Sequence, residues 1–284
     1  MEMSLKNCGK ELVEKVKSNK KILIKILIAK ILTLIFIFYL RPPTNLSAIG
    51  FSDGEMYFNF TKNPKDLFKP PGTKLTPTTY VKPPGWPLFL LPFYTIYPNW
   101  IFWSIGFSFV FSFLALFLIY KISGEKIMWL FFFYPYFLYH SNFPLEVSVL
   151  SFLLTLAFYY LKLKNNYFFA NLFCNLSSFF RLEGILISLY LLLKNSQKNV
   201  MNILLFITST ISAIYVYGYS HLLYNYLYGT PIIAYPRLVI PFLIPVFIEL
   251  KEFFTKHFWK MMAIWVVFGV FVGYLKIFYI WNLL

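Results

Sequence analysis

The chain has 284 residues, of which 59% are hydrophobic and 23% aromatic, while only 13% are charged. A soluble domain of this length needs far more charge to cover its surface, so the composition excludes one and points to a chain solvated by lipid. The net charge is +15, from 26 basic and 11 acidic residues. In such a chain lysine bias reports orientation first and anionic headgroups or phosphates second. Nucleic acid is not the implied partner, because no separate basic soluble domain exists.

Residues 1–21 are polar and carry six lysines, which makes them a cytoplasmic N-terminal segment. Residues 22–40 form the first apolar run. It has no small-residue cleavage pattern behind it and reads as a retained signal-anchor helix. Arg41-Pro42-Pro43 stops it, since consecutive prolines cannot continue a helix. Residues 41–84 are the one long polar stretch and lie outside by alternation. A loop of that length among short connections is more often functional than decorative.

Residues 86–97 are apolar but too short to cross, and they contain Pro87 and Pro92. They read as a helix lying in the outer interface, anchored by Trp86, Tyr94, Tyr97 and Trp100, so that 41–99 form an outer loop with interfacial helices. This assignment sets the parity of the rest. Residues 101–120 then return to the cytoplasm, and Lys121/Lys126, Lys162/Lys164, Lys194/Lys198 and Lys251/Lys256/Lys260 all fall inside. The apolar runs 130–138, 147–161, 167–193 and 203–219 follow. Segments 127–139, 185–193 and 238–250 are short for a crossing and suggest tilted, partial or paired half-helices. The expected architecture is an all-α polytopic membrane protein of about nine transmembrane helices, with residues 22–284 as one transmembrane domain. The expected location is the plasma membrane of a prokaryote.

The same parity gathers the turns 139–146, 181–184 and 220–236 on the outer face with the long loop. They bring His140, Glu146, Arg181, Glu183, His221 and the adjoining Arg237 with them. In the loop, Ser52-Asp53-Gly54-Glu55-Met56-Tyr57 places carboxylates beside apolar residues that pin it to the interface. A carboxylate held there serves as general base toward a hydroxyl or as oxygen ligand of a divalent metal; the bland alternative is a solvated loop acid. Lys82, before Pro83-Pro84, offers a cation at phosphate depth or is simply a snorkelling lysine.

Arg181 interrupts an apolar run, where charge is costly and is paired or faces a cavity. Glu183 is too close in sequence to be its ideal helical partner. That leaves Arg181 for an external anion, with helix capping as the equal alternative. Arg237 at a helix start is dipole-unfavourable, which tilts it toward a ligand. Glu146, first charge of an apolar helix, is explained by the same dipole without any function.

In this order the pieces resemble the polytopic C-type glycosyltransferases, which use polyprenyl-phosphate-linked sugars. The matching elements are Asp53 with Tyr57, Lys82-Pro83-Pro84-Gly85-Trp86-Pro87-Leu88, Pro144-Leu145-Glu146, Arg181 to Gly184, and Arg237 to Pro245. The resemblance spans about residues 22–250. It implies inverting transfer of a sugar, outside, from a polyprenyl-phosphate donor, with Asp53 as base or metal ligand. Arg181, Arg237 and Lys82 would hold the donor phosphate, and Glu55, Tyr57, Glu146 and Glu183 would contact substrate. The chain is short for this superfamily, as a minimal or partner-dependent member would be. Two other classes compete. One is a non-catalytic lipid-binding or transporter-like scaffold. The other is an exosortase-like cysteine transpeptidase using Cys174, Arg181 and His221, although a Cys inside an apolar helix behaves as a small hydrophobe.

Overall fold

The computed structural model describes residues 2–40, 57–58, 61–62, 85–141, 146–181, 183–194, 200–201, 203–204, 206–208, 210–211 and 240–267. Among the described residues the chain is all-helical and forms no strand. The helices in chain order are α1 (Glu2–Leu40), α2 (Gly85–Ile96), α3 (Trp100–Ser123), α4 (Glu125–Phe133) and α5 (Pro135–His140). They are followed by α6 (Val147–Leu163), α7 (Tyr167–Ser178), α8 (Glu183–Lys194), α9 (Ile240–Glu249), α10 (Lys251–Lys256) and α11 (Phe258–Val267). Two stretches are long and apolar enough to cross a membrane, Asn19–Tyr39 within α1 and the whole of α3. Every other described helix is shorter, from 6 to 17 residues. The all-α expectation holds among the described residues, where two helices are long enough to cross and the remainder are short.

Local chemistry explains the breaks. The Asn99 side chain accepts from the Phe102 amide at 3.0 Å and starts α3. Gly124, at φ 91°, ends it in a backbone conformation that side chains disfavour. Pro135 forces Tyr134 into an extended conformation and cuts the apolar run into α4 and α5. Asn166 starts α7 by accepting from the Phe169 amide at 3.1 Å.

Helix α3 is the spine. One side carries Trp103, Phe107 and Phe111, at helical spacing. Phe93 lies 5.4 Å from Trp103 and 4.5 Å from Phe107, and Phe89 lies 5.5 Å from Phe111, measured between ring centroids. That order is antiparallel. Helix α2 therefore folds back along the first half of α3 instead of lying across its end, because its aromatic stripe meets a matching one. The adjoining side of α3 buries Ser104, which Trp86 of α2 covers, with Ser108, Ser112 and Ala115, and α6, with buried Ser148, Ser151 and Thr155, packs along α3. Small side chains let these two backbones approach closely.

Helix α1 lies antiparallel to α3. Lys121 donates to the Asn19 side chain at 2.7 Å, Lys25 pairs with Glu125 at 2.8 Å, and the Lys30 ammonium sits 5.6 Å from the Phe109 ring centre. The hydrogen bond from Lys25 holds the Glu125 carboxyl below its ordinary range. Lys162, near the end of α6, pairs with Glu249 at the end of α9 at 2.9 Å. Along α1 and α8 apolar side chains face outward, the inverse of the polarity of a surface helix in water. Ile24, Ile28, Leu32, Ile35, Phe36, Leu186 and Leu193 are exposed, whereas Lys30, Glu146, Arg181 and a series of serines are buried.

Candidate functional site

The turn after α5 meets the middle of α3. Ser141, just past α5, lies against Ser112, with 3.4 Å between the Ser112 hydroxyl and the Ser141 carbonyl. Lys30 donates to the Ser141 carbonyl at 3.3 Å and to its hydroxyl at 3.1 Å, and Ser148 donates to the same carbonyl at 3.3 Å. Glu146, immediately before α6, reaches across to the turn after α7, where Arg181 Nη1 donates to its Oε1 at 2.6 Å. The side chains are only 2% and 9% exposed, so the pair is shielded from solvent and each charge needs the other.

The start of α2 joins the same turn. The Gly85 amide donates to the Phe179 carbonyl at 2.9 Å. A Cβ at Gly85 would collide with that carbonyl, so only glycine allows the approach. Gly184 is equally constrained, since a Cβ there would strike the Ser177 hydroxyl and the Ser178 backbone. Trp86, fully buried beside Gly85, donates to Ser104 at 3.2 Å and so ties this contact back to α3. Three segments far apart in sequence, those around Gly85, Glu146 and Arg181, thus form one buried junction.

Part of the long loop docks on the α2–α3 hairpin. Tyr57 is fully buried, and Phe58 stands edge-on to Tyr94 at 6.3 Å and to Trp100 at 6.1 Å. Thr61 accepts from the Trp100 indole at 3.1 Å and donates to the Tyr57 carbonyl at 2.8 Å. Asp53, Glu55, Lys82, His221 and Arg237 lie outside the described residues. Glu183 is the first residue of α8 and His140 the last of α5. Among the described residues no three His, Cys, Asp or Glu side chains come together as metal ligands. Cys174 is fully buried within α7, at a point where Ser177 donates to its carbonyl at 2.6 Å.

Two features differ from the reading of the sequence. Arg181 has a carboxylate partner, Glu146, from the neighbouring turn. Glu146 stands at the N-cap of α6, where the helix dipole favours an acid, but its side chain makes no cap bond and turns to Arg181 instead. Lys30 was not singled out at all. Its signal was a lysine in the middle of an apolar helix, a placement that carries a high cost unless the head group finds acceptors. Compared with protein families, with curated proteins and with solved structures, the chain matches none.

Proposed function

We propose that the protein is a polytopic membrane glycosyltransferase, moving a sugar from a polyprenyl-phosphate donor to an acceptor hydroxyl on the outer or lumenal face. The inverted polarity supports the membrane part of this reading. Apolar side chains face outward along α1 and α8, while Lys30, Glu146 and Arg181 face inward. In lipid that distribution is favourable, and in water it is not.

The observation that carries the enzymatic reading is the junction of Gly85, Glu146 and Arg181. Each belongs to a different one of the motifs that resemble the glycosyltransferases, and the Gly85–Phe179 and Arg181–Glu146 bonds join all three. In the reaction, Asp53 takes the proton from the acceptor hydroxyl. The acceptor oxygen attacks the anomeric carbon as the bond from that carbon to the phosphate oxygen breaks. The leaving polyprenyl phosphate keeps the electron pair, and cations stabilise the charge that develops. With Arg181 held by Glu146, that grip falls mainly on Lys82 and Arg237.

The test is transfer of labelled sugar from a lipid donor by purified protein in detergent. Asp53→Asn keeps the size of the side chain and removes its charge, so turnover should fall by about 10²-fold or more. Glu55→Gln should fall less. Full activity in both variants would remove catalysis from this loop. Wild-type protein that binds the lipid donor yet transfers to no acceptor would favour the lipid-binding scaffold.

A further inference from the structure

We infer that the second oxygen of the Glu146 carboxylate accepts a hydroxyl of the transferred sugar, making Glu146 and Arg181 a hydroxyl-reading subsite instead of part of a phosphate clamp. The inference rests on the glycosyltransferase reading above and specifies which part of the donor meets which residue.

Its basis is the asymmetry of one carboxylate. Glu146 Oε1 accepts from Arg181, while Oε2 is buried and has no hydrogen-bond partner. Buried carboxylate oxygens are almost always satisfied, so an exception calls for an explanation. Capping of α6 does not provide one, because the Glu146 side chain makes no cap bond. Nor is the carboxylate free to turn, since Arg181 holds its other oxygen.

The chemistry selects the ligand. An ionised carboxylate only accepts hydrogen bonds, so Oε2 takes a donor and repels a phosphate. A metal cation would need further ligands, and among the described residues no three His, Cys, Asp or Glu side chains gather there. A neutral hydroxyl fits both conditions, and a sugar is the part of a polyprenyl-phosphate donor that carries hydroxyls. Arg181 acts through Glu146 by keeping it ionised and oriented, which makes it a positioning residue.

The experiment is equilibrium binding to the full-length wild type and to Glu146→Gln in detergent micelles. The probes are polyprenyl phosphate, polyprenyl-phosphate mannose, polyprenyl-phosphate glucose and the monodeoxy analogues of both sugars. In Glu146→Gln the amide oxygen stays on Arg181 and an amide N–H₂ replaces the accepting oxygen. The variant should bind the preferred sugar lipid about tenfold more weakly, the loss of one hydrogen bond to a charged group, and bind bare polyprenyl phosphate unchanged. One deoxy position should weaken wild-type binding by a similar factor and have no further effect in the variant.

Equal weakening of the bare and sugar lipids, or no effect on either, would overturn the inference. So would a deoxy series that the wild type binds uniformly, as expected if a buried water occupies Oε2. Should Glu146→Gln fail to fold, Glu146→Asp keeps the charge for Arg181 and withdraws the second oxygen. It should lose the discrimination among deoxy analogues, and retained discrimination would overturn the subsite. Wild type that binds none of these lipids would sink the glycosyltransferase reading itself, whereas transfer that is insensitive to Glu146 would sink only the subsite.

Discussion

Gly184 follows the Arg181 turn with the Ser177 side chain and the Ser178 backbone pressed against its α-carbon, so a single methyl group has nowhere to go. Gly184→Ala should destabilise the protein by about 1–3 kcal/mol, because the obstruction includes backbone that cannot rotate aside. Gly106, in the middle of α3, meets nothing within 4 Å. Gly106→Ala should therefore leave stability unchanged or raise it by up to about 1 kcal/mol through helix propensity. Thermal unfolding of the two variants in the same detergent checks this, and equal midpoints would show that the Arg181 turn is looser than described. At this scale the sequence announced the important groups and concealed their partners. Arg181 and Glu146 both stand out as charges at the ends of apolar runs. Their pairing joins residues 35 apart, and reasoning from helical spacing considers only neighbours three or four positions away. Lys30 was hidden by its company: among the lysines of the first helix it reads as one more orientation signal.

At the scale of elements, α3 organises the molecule with an aromatic stripe that packs on α2 and, at Phe111, on Phe152 of α6, and beside it a stripe of buried serines. The serine stripe makes a sharp prediction. Ser108 is fully buried against the neighbouring helix, whereas Val110, two positions on, is exposed. Ser108→Leu should push α3 and α6 apart at a cost of about 1–3 kcal/mol and lower the unfolding midpoint, while Val110→Leu should leave it unchanged. Similar loss in both would mean that the two faces are not packed differently. Helix positions were readable from the sequence wherever punctuation was strong. The expected segments 86–97, 101–120 and 147–161 correspond to α2, α3 and α6, bounded by the Pro98-Asn99 pair, Gly124 and the Asn165-Asn166 turn. The run 127–139, too short for a crossing, suggests partial or paired half-helices, and Pro135 indeed divides it into α4 and α5. The attitude of α2 was not readable either, since its matching with Trp103, Phe107 and Phe111 depends on a partner helix and not on its own pattern.

Among the described residues the charged pairs stand in three places. Lys25, Lys121 and Glu125 meet at one end, and Lys162 meets Glu249 at the ends of α6 and α9. Glu146 and Arg181 meet half a helix away. In the membrane reading the lysine end is cytoplasmic. Single cysteines in a variant lacking Cys8 and Cys174 test that. One at Tyr97, exposed in the α2–α3 turn, should label from outside, and one at exposed Lys164 should label only after permeabilisation. External labelling at Lys164 would reverse the orientation, and labelling of both without permeabilisation would argue against a membrane between them. Parity arguments from lysines brought the turns 139–146 and 181–184 to one face, and the Glu146–Arg181 contact agrees with that grouping. The depth of the turns was beyond such reasoning, since parity counts crossings and says nothing of how far each helix travels.

The halved lengths of α7 and α8 bear on how the chain is put together. Each has 12 residues and is about 18 Å long, short of the roughly 30 Å of a hydrocarbon core, and the connection between them carries an arginine. In the membrane reading, neither helix is long enough to enter lipid as a crossing of its own. The α7–α8 hairpin must instead enter as a unit against a wall that already exists. Chain order supplies that wall, because α3, α6 and the carboxylate of Glu146 are all synthesised before Arg181 emerges. In that reading assembly of this half of the molecule is sequential, with Arg181 arriving after the carboxylate that pairs with it.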